Sequence, residues 1–196
     1  MDAPGDRTGK ILDPGDLPFH LCSIQIFLLF FLKFVAKTDE TKKNVLGFMC
    51  PTMFIGAIMA LLIPTVGVGF NVVQVYQYFI FHAFLIFFGI YIVKEKFVDW
   101  TVKVYLKNLA YLGCIALVVM WINSALSGVL PRVNFMYLVR PPMENLPVLN
   151  LDNGWGFYLA TLITLVVVLT AIFQVIVMAI NGKFKRKEVE IPTKTN

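Results

Sequence analysis

The sequence predicts an all-α protein, a polytopic transmembrane helical bundle of about five spans. Of its 196 residues, 58% are hydrophobic and only 15% are charged, whereas soluble domains are roughly half apolar and about a quarter charged. The apolar residues also fall into five separate runs of about twenty residues, which is the length of an α-helix that crosses a bilayer. We therefore expect a multi-pass protein that is integral in the cell membrane and in contact with membrane lipids.

Polar and charged segments set the bounds of these spans. Residues 1–16 form a polar N-terminal tail, and Asp16 is placed to cap the first helix. A charged connection at residues 37–44, a polar turn near Asn71 and a lysine-rich segment around Trp100 separate the next runs. The bundle is expected over residues 17–180, with residues 181–196 as a basic cytoplasmic tail. The predicted spans are residues 17–36, 45–67, 76–93, 104–126 and 155–180.

The connection between the fourth and fifth spans, residues 127–153, is unusually long. Its prolines exclude a regular helix, because proline lacks the backbone N–H that a helix interior needs. Residues 136–139 are nevertheless apolar, which is atypical of a solvated linker. We expect an ordered loop that folds back over the outer mouth of the bundle, since long structured loops are often functional.

The distribution of cations predicts the orientation. Of the 17 lysines and arginines, all but Arg7, Lys10, Arg132 and Arg140 lie on the side that holds the C-terminus. Cytoplasmic connections carry the excess of positive charge. The C-terminus is therefore predicted to be cytoplasmic and, with five spans, the N-terminus to lie outside.

Several classes of function and site are disfavoured. The basic residues lie at the ends of spans and not along an aromatic-interleaved surface, so nucleic acid is not a predicted partner. The three cysteines, Cys22, Cys50 and Cys114, lack the spacing typical of a zinc site or a disulfide framework. We predict neither a metal nor a cofactor, and the sequence does not determine the oligomeric state.

Polar side chains in two spans are the candidate site. His20, Cys22 and Gln25 occupy the first turns of the first span, and His82 lies in the third. Each such group costs free energy in a bilayer unless a partner or a cavity receives it, so a cluster suggests a functional site. Counted from the outer ends of their spans, Cys22 and His82 lie at depths of roughly 8 and 9 Å. The two side chains are thus predicted at matching levels.

Four motifs resemble those of a known family. They are Leu-Pro-Phe-His-Leu-Cys at residues 17–22, Asn-Phe-Met-Tyr-Leu at 134–138 with Pro141-Pro142, and Asp-Asn-Gly-Trp at 152–155 with Tyr158. In this order they resemble the YwaF family of bacterial integral membrane proteins, related to eukaryotic transmembrane protein 164. The resemblance covers about residues 17–160. Family members usually carry another hydrophobic helix before the first motif, so the resemblance implies that this chain lacks the first helix.

The resemblance implies a helical bundle whose eukaryotic relatives are phospholipid acyltransferases and, more distantly, lipid-ester hydrolases. Carried over to this sequence, Cys22 is the candidate nucleophile and His82 the candidate base. His20, Gln25, Asn123 and Asn134 are candidate substrate-binding residues.

A second interpretation stays open, because polar groups inside a bundle also hold helices together and cap or pin loops. In that case the chain is a non-catalytic scaffold, a partner-binding subunit or a small transporter component.

Overall fold

The computed structural model describes residues 19–64, 73–130, 133–143, 146 and 148–188, without the side chains of residues 74 and 183–188. These residues form five α-helices and no strand, which confirms the predicted all-α class. A short 3₁₀ turn, Phe135–Tyr137, lies in the long connection. The helices are α1 (Leu21–Phe34), α2 (Asp39–Leu62), α3 (Val73–Lys94), α4 (Val102–Leu126) and α5 (Trp155–Glu188).

Four of these helices are long and apolar enough to cross a membrane, namely α2, α3, α4 and α5. The first helix, α1, is equally apolar but has 14 residues, or about 21 Å at 1.5 Å per residue. It is shorter than the predicted span 17–36, whose first two residues lie outside the described part of the chain. The structure does not fix which face is cytoplasmic, so the orientation stays a prediction.

The second helix begins at Asp39 and not at residue 45, so most of the predicted connection 37–44 is helical. Thr38 caps it by accepting a hydrogen bond from the backbone N–H of Thr41 at 3.2 Å. Asp39 and Glu40 in the first turn favour this start electrostatically, because the N-terminus of a helix carries partial positive charge. The fifth helix similarly continues into the predicted tail, to Glu188.

The central element is α2, which packs against each of the other four helices. Four of its side chains, Met49, Cys50, Met53 and Ala57, are fully buried. Leu85 of α3 and Val177 of α5 belong to the same apolar cluster. The helices α1 and α3 therefore share α2 as a common wall, and they have little direct contact with one another.

Gly89 and Pro51 determine how two neighbouring helices contact α2. A Cβ at Gly89 of α3 would lie 2.6 Å from the Phe54 ring of α2, so only glycine permits this approach. Pro51 inside α2 cannot donate to the carbonyl of Gly47, one turn earlier. The side-chain amide of Asn108 donates to that carbonyl at 2.8 Å and so ties α4 to α2. The helix is thus continuous across its proline and is bonded to a neighbour there.

Candidate functional site

Cys22 lies at the start of α1, as the second residue of the helix. It is a free, half-buried cysteine that packs against the apolar cluster around α2. The N-cap residue, His20, makes no side-chain capping bond, and the bond from Ile24 N to His20 O, at 3.0 Å, closes the first turn. Backbone N–H groups before Ile24 have no partner within the helix. The thiol therefore lies beside potential hydrogen-bond donors.

His82 lies inside α3 and is buried, with 4% of its surface exposed. Its Nδ1 is 2.7 Å from the carbonyl oxygen of Tyr78, one turn earlier. A carbonyl can only accept, so Nδ1 carries the proton and Nε2 of the neutral ring has the lone pair. Nε2 is buried and has no hydrogen-bond partner among the described residues. The ring of Tyr78 packs on the imidazole with centroids 4.3 Å apart. His82 is thus oriented as a base is oriented, by a bond to its other nitrogen.

The helix register places Cys22 and His82 at the same level along α2. Gln25 of α1 bonds to Thr52 of α2, and Cys22 lies one turn from Gln25, level with Gly56. Tyr78 of α3 donates to the carbonyl of Ala60 at 2.8 Å. His82 lies one turn beyond Tyr78 and is also level with Gly56, because α2 and α3 are antiparallel. The depths of Cys22 and His82 in the membrane stay a prediction.

The thiol and the imidazole are not hydrogen-bonded to each other. Neither residue is joined to the other by any hydrogen bond or ring contact, and the two helices that carry them lie on α2 with little mutual contact. A Cβ at Gly56, on the same face of α2 as Thr52, would meet no atom within 4 Å. The shared level of Cys22 and His82 is therefore bordered by open space next to α2.

Gln25 is completely buried and anchors α1 to α2. Its Nε2 donates to the carbonyl of Leu21 at 3.1 Å and to the hydroxyl of Thr52 at 3.0 Å. The Thr52 hydroxyl in turn donates to backbone carbonyls of its own helix. The amide oxygen of Gln25 has no partner among the described residues. Gln25 thus combines a structural role with an unused acceptor one turn from Cys22.

Asn123 of α4 is buried and binds the long connection. Its Oδ1 accepts from Phe135 N at 2.9 Å, and its Nδ2 donates to Phe135 O at 3.0 Å. Both ends of its amide are therefore engaged by backbone, and its direct role is to hold the loop.

Asn134 closes the same loop on itself. Its Oδ1 accepts from the N–H groups of Val139 and Arg140, and its Nδ2 donates to Arg140 O at 2.9 Å. Met136 and Tyr137 have φ of 55° and 54°. Non-glycine residues rarely adopt this conformation unless their surroundings enforce it. The loop is thus a built structure and not a slack linker.

His20 connects this loop to the start of α1. Its ring lies 5.7 Å from that of Phe135 and 5.5 Å from that of Tyr137, centroid to centroid. Phe19 also packs edge-on against Phe135. The described part of the connection therefore lies against the end of the bundle where α1 begins, next to Cys22, as its apolar residues predicted.

Other residues that hold this arrangement were not predicted as site residues. The Tyr158 hydroxyl donates to Tyr137 O, and the Trp155 indole donates to Leu138 O at 3.1 Å. Tyr78 and Thr52 orient His82 and Gln25. A spacing of four residues between Tyr78 and His82 is the one sequence signal for such a contact, since these positions adjoin on a helix. No three His, Cys, Asp or Glu side chains of the described residues lie together as a metal site would require.

Comparison with known proteins identifies the family of this chain. Neither the curated proteins nor the solved structures contain a match to this chain. A family model described as the TMEM164 family matches residues 12–174. That range includes α1 to α4, the loop, and most of α5, and with it every candidate site residue. The chain therefore belongs to the TMEM164 family of proteins.

Proposed function

We propose that this protein is a membrane-embedded enzyme that acts on lipid esters, an acyltransferase or a hydrolase, with Cys22 as nucleophile and His82 as base. The observation that carries the proposal is the buried, unpartnered Nε2 of His82, whose tautomer is set by the Tyr78 carbonyl. An unsatisfied acceptor in an apolar interior costs free energy unless a ligand or a reacting group supplies a proton. The family match covers both residues, and the resemblance to the YwaF family supports Cys22 through the motif at residues 17–22.

In the proposed first step, Nε2 of His82 takes the proton of the Cys22 thiol. The thiolate attacks the ester carbonyl of a lipid, an S–C bond forms, and the C–O bond to the lipid alcohol breaks. The imidazolium returns its proton to the departing alkoxide. The product is a thioester on Cys22 and a lipid with a free hydroxyl.

In the second step, an alcohol or a water molecule gives its proton to His82 and attacks the thioester carbonyl. A new C–O bond forms, the S–C bond breaks, and the imidazolium returns the proton to sulfur. An alcohol gives acyl transfer and water gives hydrolysis. The free N–H groups in the first turn of α1 are the nearest candidates to stabilise the oxyanion of both steps.

The substrate would occupy the open space beside Gly56. This space lies at the level of both reacting groups, and the thiol and imidazole must approach each other or bridge through the substrate. Catalytic hydrogen bonds are often long in ligand-free proteins and shorten in the complex. His20 and Gln25 border this region from α1, whereas Asn123 and Asn134 contribute by holding the loop beside it.

Labelling with a thiol-reactive, lipid-like acyl probe tests the proposal. In a Cys114→Ala background we expect Cys22→Ala to lose labelling, since the remaining Cys50 is buried with its thiol on Gly89 O at 3.5 Å, whereas Cys114 is exposed on α4 and would react by itself. Cys114→Ala is the matched control and should keep the Cys22 signal. Gly56→Leu should reduce labelling by filling the open space.

Labelling that survives Cys22→Ala would exclude Cys22 as the nucleophile. It would favour the second candidate function, a non-catalytic membrane scaffold or partner-binding subunit. That alternative has its own support, because several buried polar side chains join one helix to another. Asn108 bonds α4 to α2, and Gln174 of α5 donates to Thr101 O at 3.1 Å.

A further inference from the structure

A cavity lies between α1 and α4, away from Cys22 and His82. These two helices flank α2 without packing on each other, and the gap has a volume of about 450 Å³. That volume is within the 300–1,000 Å³ range of small-molecule sites. Its walls are apolar side chains of all three helices, chiefly Leu28, Phe31, Val45, Phe48 and Ile115.

The groove is polar at one end only. Thr41 and Asn44 line it in the first two turns of α2, at the end where the lysine-rich connections lie. Asn44 is half-buried, and its side chain makes no hydrogen bond to the described residues. Deeper in the groove, only the edge of Tyr111 and the Cys114 thiol interrupt the apolar wall. A lipid has the same arrangement, with a polar headgroup at the interface and an apolar chain below it.

Lys107 places a positive charge next to the groove, against one of the residues that line it. Its ammonium lies 5.9 Å from the ring centroid of Tyr111, a residue of the groove wall one turn deeper in α4. Lys107 is half-buried, whereas the other lysines whose side chains are described are exposed. Lys42 and Lys43 are paired with Asp39 and Asp99, but Lys107 has no carboxylate partner among the described residues.

The position of Lys107 makes an anion the expected partner. It lies five residues after the start of α4, about 8 Å along the helix axis. An unpaired cation at that depth is costly unless it snorkels to the interface or meets an opposite charge. Tyr111 satisfies it in part, through a cation–π contact. A phosphate at the mouth would complete its coordination and accept from the amide of Asn44.

We propose that this groove is a binding site for one anionic phospholipid from the leaflet at the lysine-rich end. The acyl chain lies between α1 and α4 on α2, and the headgroup phosphate lies at Lys107 and Asn44. The site is separate from the proposed catalytic one, because Cys22 lies in the first turn of α1, at the end of the helix opposite to the groove mouth. Occupancy would stabilise the pairing of α1 and α4 with α2 without any part in acyl transfer.

Photo-crosslinking of the full chain in phosphatidylcholine nanodiscs tests this. The probes are phosphatidylglycerol and phosphatidylcholine that carry the same diazirine acyl chain, and mass spectrometry locates the adducts. We expect phosphatidylglycerol to label peptides of residues 28–31, 44–48 and 111–115 preferentially. The Cys22→Ala protein should give the same result, so loss of catalysis and loss of this site are distinguishable.

Two pairs of variants make the result specific. Lys107→Gln should weaken phosphatidylglycerol labelling about fivefold, the effect of one lysine near a charged lipid, whereas Lys94→Gln, on α3 outside the groove, should not. Ile115→Trp should fill the groove and lose labelling, whereas Leu117→Trp, on the exposed face of α4, should retain it.

Three outcomes would overturn the proposal. The first is equal labelling by the two lipids at the groove peptides, which would mean an ordinary annular lipid. The second is labelling that Lys107→Gln and Ile115→Trp leave unchanged. The third is a protein–protein adduct across the groove in place of a lipid adduct, which would assign it to a second copy of the chain.

Discussion

Two regions of this bundle bury polar side chains and differ in how completely they satisfy them. Between α4 and the long loop, both amide atoms of Asn123 bind the backbone of Phe135, and Tyr158 and Trp155 bind the next carbonyls. Between α1, α2 and α3, the oxygen of Gln25 and Nε2 of His82 are buried without a partner among the described residues. The polar side chains of the first region are hydrogen-bonded, whereas the second region has two buried acceptor atoms without a donor among the described residues.

The difference separates structural polar groups from candidate functional ones. Native proteins satisfy nearly all buried polar atoms, so each exception calls for a specific explanation. Trp100 Nε1 and Asn181 Oδ1 also have no partner among the described residues, but Trp100 precedes α4 and Asn181 lies in α5, so neither belongs to α1, α2 or α3. Gln25 and Cys22 share one face of α1, and Cys22 and His82 share a level along α2. There the exceptions lie near the candidate nucleophile.

Breaking a completed bond should have the largest effect on stability. We expect Asn123→Leu to lower the free energy of unfolding by about 2–5 kcal/mol, because it leaves the N–H and C=O of Phe135 unpaired in a buried site. Thermal unfolding in nanodiscs measures this, with the neighbouring exposed Ser124→Ala as control. A change as small as that of the control would show that the loop does not depend on Asn123.

A smaller loss of stability is expected at the hydrogen bond between Gln25 and Thr52, when one of the two partners is replaced. Thr52→Val keeps the shape of the side chain and removes the hydroxyl that accepts from Gln25, so the free energy of unfolding should fall by about 1–2 kcal/mol. Adding Gln25→Leu should recover much of this loss, because a pair of apolar side chains leaves no polar atom unsatisfied.

A double-mutant cycle measures the coupling between Gln25 and Thr52. Additive losses in the double variant would mean that the bond between them contributes nothing.

The helices were predictable because apolar runs of bilayer length leave few alternatives. The start of α3 at Val73 and the end of α4 at Leu126 lie within a few residues of the expected bounds. The start of α2 was predicted too late, because the charge of residues 37–44 indicated a connection between spans. In the first turn of a helix, however, carboxylates are favourable.

The site was only partly predictable. The levels of Cys22 and His82 along their own helices follow from counting residues. Rotation about a helix axis does not follow from counting. Counting residues therefore did not predict that Asn123 would bond to Phe135, and the four-residue spacing of Tyr78 and His82 placed them side by side without predicting the tautomer. Such contacts depend on which faces of α3 and α4 meet their neighbours.

Substitution of His82 should have the smallest effect on stability and the largest effect on labelling by the acyl probe. In His82→Asn the amide N–H takes the place of Nδ1–H and can still donate to the Tyr78 carbonyl, while nothing replaces Nε2. Since Nε2 has no partner to lose, we expect the free energy of unfolding to change by less than about 1 kcal/mol. Labelling of Cys22 by the acyl probe should fall by roughly 10²-fold or more, the usual contribution of a general base. Cys22→Ala in the same background should remove the remaining signal, because that signal is the adduct on Cys22 itself. Full labelling of a stably folded His82→Asn protein would remove His82 from the mechanism and leave its unpartnered nitrogen without a functional explanation.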